Sequence, residues 1–143
     1  MPVHFILYVA DQEAAARFWA AVLDRPPSLD VPGMTEFAVG QDAVLGLMPE
    51  AGVRSLLGPA LPDPGSARGV PRAEVYLVVD DPGAHHRRAV AAGARELSAL
   101  SPRSWGDAAA YSLDPDGHVV AFAARAAAVS AHGEHPSGGA ASE

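Results

Sequence analysis

Two side chains that open similar segments of the sequence are the candidates for chemistry. His4 lies in VHFILYV near the N-terminus, and Glu74 lies in EVYLVV in the second half of the chain. An imidazole and a carboxylate can together provide part of a metal shell, or act as general acid and base. The alternative is that both lie near strand ends, in contact with solvent or with each other.

The segments that carry these residues have the pattern of strands followed by helices. VHFILYV is short and rich in β-branched and aromatic residues, and strand alternation places His4 and Tyr8 on one side. Asp11 is in position to cap a helix over about residues 12–23, whose apolar residues recur at helical spacing.

This pattern recurs at an offset of 70 residues, which takes His4 to Glu74 and Asp11 to Asp81. The hairpins that follow also correspond, residues 37–48 with residues 111–123, with about one residue of slip. A repeat of this kind predicts two similar units that bury their sheets together, since neither would be stable alone.

The sequence therefore predicts one domain over about residues 1–125. Its first module covers about residues 2–49 and its second about residues 72–125. Residues 50–71 hold several Pro and Gly without a clear period, which predicts a linker or flap. Residues 126–143 consist largely of Ala, Gly, Ser and His and predict a disordered tail.

Composition excludes several classes of function. The 143 residues have a formal net charge of −7, and an acidic surface repels phosphate backbones, so we expect no nucleic acid partner. The chain has no Cys, which excludes disulfides and thiolate chemistry. We find no stretch of about 20 apolar residues and no signal peptide, so we expect no membrane partner and a cytoplasmic location.

The doubled βαβββ pattern, with YVADQEAAARFWAAVL early and SLDPDGHVVAFA late, resembles the vicinal oxygen chelate superfamily. That superfamily includes glyoxalase I, bleomycin-resistance proteins, fosfomycin-resistance enzymes and extradiol dioxygenases. The resemblance covers about residues 2–124. It implies an α+β fold in which two tandem βαβββ modules form a curled mixed sheet around a cleft, commonly completed by a second subunit. We therefore expect a homodimer.

The resemblance also implies where a metal would bind. Metal-dependent members hold a divalent cation at up to four positions, which fall here on His4, Gly46, Glu74 and Ala121, and Gly46 and Ala121 have no ligand atom in their side chains. Catalytic zinc sites typically use three protein ligands, and magnesium with fewer relies on water and substrate oxygens. We expect no cofactor; the alternative is a weakly bound divalent metal at His4 and Glu74.

Without a metal, the cleft would be mainly a binding site for a small organic ligand. Its predicted lining consists of Tyr8, Phe37, Met48, Tyr76, Trp105 and Tyr111. Aromatic walls with a few polar groups suit a flat or amphipathic molecule. The alternative is that most of these residues belong to the hydrophobic core.

Three functions follow from these observations. The first is a small-molecule binding protein with a resistance or sequestration role. The second is a metal-dependent lyase or isomerase of the glyoxalase type, in which Glu74 is a ligand or the catalytic base and His4 is a ligand. The third is a regulatory or interaction module with a non-functional cleft.

Overall fold

The computed structural model describes residues 1–133, and side chains as far as residue 129. Each half of the chain forms a βαβββ module, which confirms the predicted α+β fold. The first module consists of β1 Val3–Val9, α1 Gln12–Leu23, β2 Leu29–Val31, β3 Met34–Gly40 and β4 Ala43–Pro49, and α2 Glu50–Leu57 follows it. The second consists of β5 Glu74–Val78, α3 Pro82–Ala91, β6 Arg95–Pro102, β7 Asp107–Leu113 and β8 Val119–Arg125, followed by α4 Ala126–Gly133.

Each module contributes one four-stranded mixed sheet. The strand orders are β1-β4-β3-β2 and β5-β8-β7-β6, so the two sheets have the same topology. In each sheet the first and last strands of the module are parallel neighbours, and the other pairs are antiparallel. The sheets remain separate and do not join into one closed sheet.

The two modules share one hydrophobic core beside their helices. The buried face of α1 consists of Ala15, Phe18, Trp19, Val22 and Leu23, as the sequence predicts. Helices α1 and α3 contact each other, and residues of both modules belong to the same buried cluster. One face of each sheet therefore packs on helices, and the opposite one, which we call the open face, is left uncovered by α1 and α3.

Both predicted helix caps are confirmed. The carboxylate of Asp11 accepts a hydrogen bond from the amide N of Ala14 at 3.0 Å, and that of Asp81 accepts one from Ala84 at 3.0 Å. Each cap satisfies a helical N–H group that would otherwise have no partner. The two modules thus begin their helices in the same way.

Two predictions about irregular segments were wrong in part. The predicted linker over residues 50–71 contains α2 and two short 3-10 helices, Gly58–Ala60 and Pro64–Ala67. The predicted tail begins with α4, because alanine has the highest helix propensity and Ala126–Gly133 is rich in it. The rest of the predicted tail lies outside the described residues.

No helix within residues 1–133 has both the length and the apolar character needed to cross a membrane.

Candidate functional site

A cavity of about 760 Å³ lies between the two modules. One wall is formed by β1, another by the start of β5 and the turn before β8, and a third by residues 61–73, which we call the connecting segment. The apolar part of the cavity lining comes from both modules and the connecting segment. It consists of Phe5, Ile6, Leu7, Tyr8, Leu61, Pro62, Pro64, Ala67, Val70, Pro71, Ala73, Val75 and Val119. The cavity therefore depends on both halves of the chain.

Most charged side chains around this cavity form ion pairs or hydrogen bonds within the protein. Arg68 Nη2 lies 2.7 Å from Glu50 Oε2, which ties the connecting segment to α2. Asp63 accepts from Arg54 Nη1 at 2.8 Å and from the amide N of Gly65 at 2.9 Å. The Gly65 N–H, followed by the Arg54 guanidinium, lowers the pKa of Asp63.

Two further groups at the cavity join the modules to each other. Asp116 Oδ1 accepts from the amide N of Ala10 at 2.8 Å. His118 Nε2 lies 3.0 Å from the carbonyl oxygen of Tyr8, and since a carbonyl only accepts, the ring nitrogen donates. These contacts hold the turn before β8 against the end of β1.

Arg72 and Glu74 differ from these groups. Both line the cavity, and both are exposed. Among the residues that the structure describes, neither side chain has a partner for a hydrogen bond or an ion pair. Their charges are therefore the ones that the cavity can offer to a ligand.

A second group of candidate side chains lies at the open face of the second sheet and in the loop before β7. We call Tyr76, Trp105, Asp107 and Tyr111 the aromatic cluster. The Tyr76 hydroxyl donates to Asp107 Oδ2 at 2.7 Å and accepts from Trp105 Nε1 at 3.0 Å. The Arg103 guanidinium lies over the Tyr111 ring, 5.2 Å from its centroid. Hydrogen bonds and a cation–π contact thus fix the orientation of all three rings.

The phenols of this cluster are held in their protonated form. Burial raises the pKa of Tyr76, and the nearby Asp107 carboxylate adds to the rise. Burial also raises the pKa of Tyr111, with a further contribution from the Glu74 carboxylate. Both phenols are therefore protonated at neutral pH, and the Tyr76 hydroxyl donates to Asp107. The Glu74 carboxylate acts electrostatically on Tyr111 and also lines the cavity.

His4 and Glu74 are not brought together in the cavity. His4 is absent from its lining, and its Nδ1 lies 3.7 Å from Glu36 Oε1 on the open face of the first sheet. Glu36 was not among the predicted site residues. Its position on β3 follows from the strand register, in which Glu36 pairs with Gly46.

The strand register relates Gly46 and Ala121, the two predicted last-strand positions, to each other. Gly46 pairs with Ile6 on β1, and Ala121 pairs with Tyr76 on β5, so the two are equivalent. A Cβ atom at Gly46 would lie 3.1 Å from Ile6 Cγ1 and 3.3 Å from Met34 Sδ. Within residues 1–133, no group of three or more His, Cys, Asp or Glu side chains is arranged to hold a metal ion.

The six predicted lining residues lie in different parts of the structure. Tyr8 lines the cavity, and Tyr76, Trp105 and Tyr111 come together in the aromatic cluster. Met48 is half-buried at the end of β4, paired with Tyr8, and is outside the cavity lining.

The prediction for Phe37 was wrong, because this side chain is fully buried in the core. The internal repeat matches Phe37 to Tyr111 only to within about one residue. The strand register removes this uncertainty, because Tyr111 pairs with Ala121, whereas Glu36 pairs with Gly46. The equivalent of Tyr111 is therefore Glu36. A shift of one residue moves a side chain to the other face of a sheet, so Phe37 faces α1.

Sequence reasoning missed Arg72, Arg103 and Asp107. Arg72 follows a stretch of Pro and Gly without periodicity, and no local pattern indicates that this stretch forms a wall. Asp107 lies two residues after Trp105, which is among the predicted lining residues. This proximity to Trp105 was the one signal that could have led to Asp107.

Two mixed βαβββ sheets around a shared hollow are the architecture of the vicinal oxygen chelate superfamily. The family model described as a glyoxalase-like domain matches residues 4–123, and the chain belongs to this family. No curated protein matches the chain.

Solved structures share the fold of this chain. A glyoxalase-related enzyme from Fulvimarina pelagi is 23% identical with a TM-score of 0.73, over 87% of this chain and 88% of that one. A glyoxalase/bleomycin resistance protein/dioxygenase family enzyme from Burkholderia phytofirmans PsJN is 19% identical with a TM-score of 0.71, over 85% and 96%. A glyoxalase/bleomycin resistance protein/dioxygenase from Nocardioides is 24% identical with a TM-score of 0.64, over 87% and 83%. At these identities the likeness concerns the fold.

Proposed function

We propose that this protein binds a small organic molecule in the cavity between its modules. The observation that carries the proposal is the cavity itself, whose volume of about 760 Å³ lies within the range of typical ligand sites, about 300–1,000 Å³. Its walls are mainly apolar, and most of its charged groups are paired within the protein. Such a site favours an organic molecule over a bare ion.

The biological role that we propose is resistance or sequestration. Two of the similar structures carry bleomycin resistance in their names, and a protein that holds a toxic compound in a cavity needs no reactive group. In this proposal Tyr8 contacts the ligand directly. The aromatic cluster supports the site from the neighbouring open face through Glu74, which lines the cavity and acts on Tyr111.

The proposal involves no metal. Two of the four positions that would bind one are Gly46 and Ala121, which have no side-chain donor. The space that a longer side chain at Gly46 would need is taken by Ile6 and Met34. His4 is placed near Glu36 and away from the cavity lining. These residues do not fit a metal that needs three protein ligands, and the glyoxalase-type lyase therefore remains the second candidate.

The uncharged fluorescent probe N-phenyl-1-naphthylamine tests the proposal. We expect saturable binding at one site, and loss of that binding in Ala73→Trp, because Ala73 lines the cavity and is exposed, so that an indole there fills the space. Ala21→Trp is the matched control, since Ala21 is exposed on α1 and outside the cavity lining. Probe binding that survives Ala73→Trp, or that fails in the unmodified protein, would refute the proposal.

We also propose a homodimer. The open faces carry exposed apolar side chains, among them Ile6 at 40%, Val31 at 44% and Val78 at 74% of their full accessible area. Exposed apolar side chains on a sheet face are a feature of protein interfaces. A dimer that covers these faces would explain why residues on them are apolar.

A further inference from the structure

The charges at the cavity suggest what kind of molecule it takes. Glu50, Asp63, Asp116 and Arg68 each form an ion pair or a hydrogen bond within the protein, as the distances above show. Arg72 and Glu74 are the charged lining residues without such a partner among residues 1–133. The cavity thus offers one cation and one anion to its contents.

The two groups are also close together along the chain. Glu74 is the first residue of β5, and Arg72 precedes it by two positions. No ion pair joins Arg72 to Glu74, so each keeps its full capacity for hydrogen bonds. A guanidinium presents a planar fork of donors that matches a carboxylate, and a carboxylate accepts from an ammonium group.

The rest of the cavity lining is apolar and therefore favours a ligand with an apolar part. Pro71 and Ala73 flank Arg72, and Val75 follows Glu74, while Ile6 lies on the opposite wall. A ligand with both charges but no apolar part would leave these walls in contact with water. An apolar ligand without charges would displace water from Arg72 and Glu74 without replacing the hydrogen bonds of that water. Each mismatch costs affinity.

We propose that the cavity takes a zwitterionic amino acid with a large apolar or aromatic side chain, its carboxylate on Arg72 and its ammonium group on Glu74. This inference rests on the proposed function, because it specifies the ligand class of the same cavity. It assigns Arg72 and Glu74 as the residues that determine specificity, and it gives Glu74 a role that involves no metal.

Three probes with the same phenyl-ethyl body test the inference: L-phenylalanine, phenethylamine and 3-phenylpropionate. They carry both charges, the positive charge alone and the negative charge alone. In calorimetry and in displacement of N-phenyl-1-naphthylamine, we expect L-phenylalanine to bind at least about tenfold more tightly than either analogue, because each added charged contact contributes to affinity.

Two variants separate the contacts. Arg72→Gln should weaken L-phenylalanine and 3-phenylpropionate by about tenfold and change phenethylamine by less than about twofold. Glu74→Gln should weaken L-phenylalanine and phenethylamine and leave 3-phenylpropionate unchanged or tighter. Arg95→Gln and Glu13→Gln, at exposed positions outside the cavity, remove the same charges as controls and should leave all three affinities unchanged.

The outcomes distinguish this inference from the proposed function. If the neutral probe binds and Ala73→Trp abolishes its binding, but L-phenylalanine binds no more tightly than its better analogue, the cavity binds ligands and the zwitterion assignment is wrong. The assignment is equally wrong if both Arg72→Gln and Glu74→Gln leave L-phenylalanine binding unchanged. If the neutral probe does not bind in the cavity, the proposed function itself fails.

Discussion

The Nε2 atom of His118 lies 3.0 Å from the carbonyl oxygen of Tyr8, and this hydrogen bond joins the two modules at the edge of the cavity. His118 lies at the start of the last strand of the second module, and Tyr8 lies near the end of the first strand of the first. A contact between residues so far apart in sequence fixes the position of one cavity wall relative to another.

Loss of this contact should weaken both the fold and the site. We expect His118→Ala to lower the free energy of unfolding by about 1 kcal/mol, the typical net contribution of one hydrogen bond, and to weaken binding of the neutral probe. Urea denaturation and probe titration measure the two effects. His118→Gln keeps a donor of similar reach and should recover part of the stability and part of the probe binding. If His118→Gln and His118→Ala lose equal stability and equal probe affinity, the donor has no role.

Asp114 should make stability depend on pH. Its carboxylate is 5% exposed and accepts from the amide N of Asp116 at 3.0 Å and of His118 at 2.8 Å. Burial raises the pKa of Asp114 despite these hydrogen bonds and the nearby His118. The folded protein therefore holds this proton to a higher pH than the unfolded chain does.

It follows that stability falls as pH rises from the ordinary pKa of an aspartate, about 3.9, through the raised pKa of Asp114 in the folded protein. Asp114→Asn keeps an acceptor for both amides and cannot ionise, so this decline should be absent from it. The free energy of unfolding across pH 4 to 8 measures the difference. Asp114→Ala removes the acceptor and should be destabilised at every pH; a decline of equal slope in Asp114→Asn would contradict the assignment.

Substitution of Phe37 should lower stability more than substitution of Trp105. Phe37 is fully buried, so Phe37→Leu should lower the free energy of unfolding by about 1–2 kcal/mol through the volume that it leaves unfilled. Trp105 is 54% exposed, and Trp105→Ala should cost less stability. Thermal and urea unfolding of both variants test this contrast. A larger loss in Trp105→Ala would mean that the aromatic cluster is part of the structural core.

Purified protein should carry no stoichiometric metal after dialysis. The reason is the lack of donors at Gly46 and Ala121, which leaves too few ligands for tight binding. Elemental analysis and melting temperatures with added Zn²⁺, Mg²⁺ and Ni²⁺ test this expectation. His132→Ala/His135→Ala is the control for incidental binding near the C-terminus. One equivalent that survives dialysis in this double variant and is lost in His4→Ala would favour the glyoxalase-type enzyme.

The proposed dimer should depend on the open face of the first sheet. Val31 lies on the edge strand β2 and is 44% exposed, so Val31→Glu places a charge on the apolar face and should give a monomer. Val90→Glu is the control, because Val90 is similarly exposed, at 41%, but lies on α3. Sedimentation velocity reports the state of each variant. A monomeric parent protein would contradict the proposal directly.

The sequence predicted the modules because their signals are local. Asp11 and Asp81 cap helices through contacts three residues away, and the apolar spacing of α1 identifies its buried face. The repeat then predicts that the same unit forms twice. Both caps and the βαβββ order follow from neighbours within a few residues.

The site was harder to predict because it depends on register and on contacts far apart in sequence. The internal repeat matches Phe37 to Tyr111 only to within about one residue, which is too coarse to decide which face of the sheet Phe37 occupies, although both belong to correctly predicted strands. His4 meets Glu36 through the pairing of three strands, and no spacing in the sequence indicates this. Arg72 reaches the cavity through a segment that has no periodic pattern.

The position of the connecting segment bears on how ligand specificity evolves in this fold. It forms one wall of the cavity, yet none of its residues belongs to the shared hydrophobic cluster. If the cavity binds the proposed ligand, substitutions in this segment would change ligand recognition and leave the shared hydrophobic cluster unaltered. Natural variants could therefore acquire new ligands by changes in this one stretch, with little effect on thermodynamic stability.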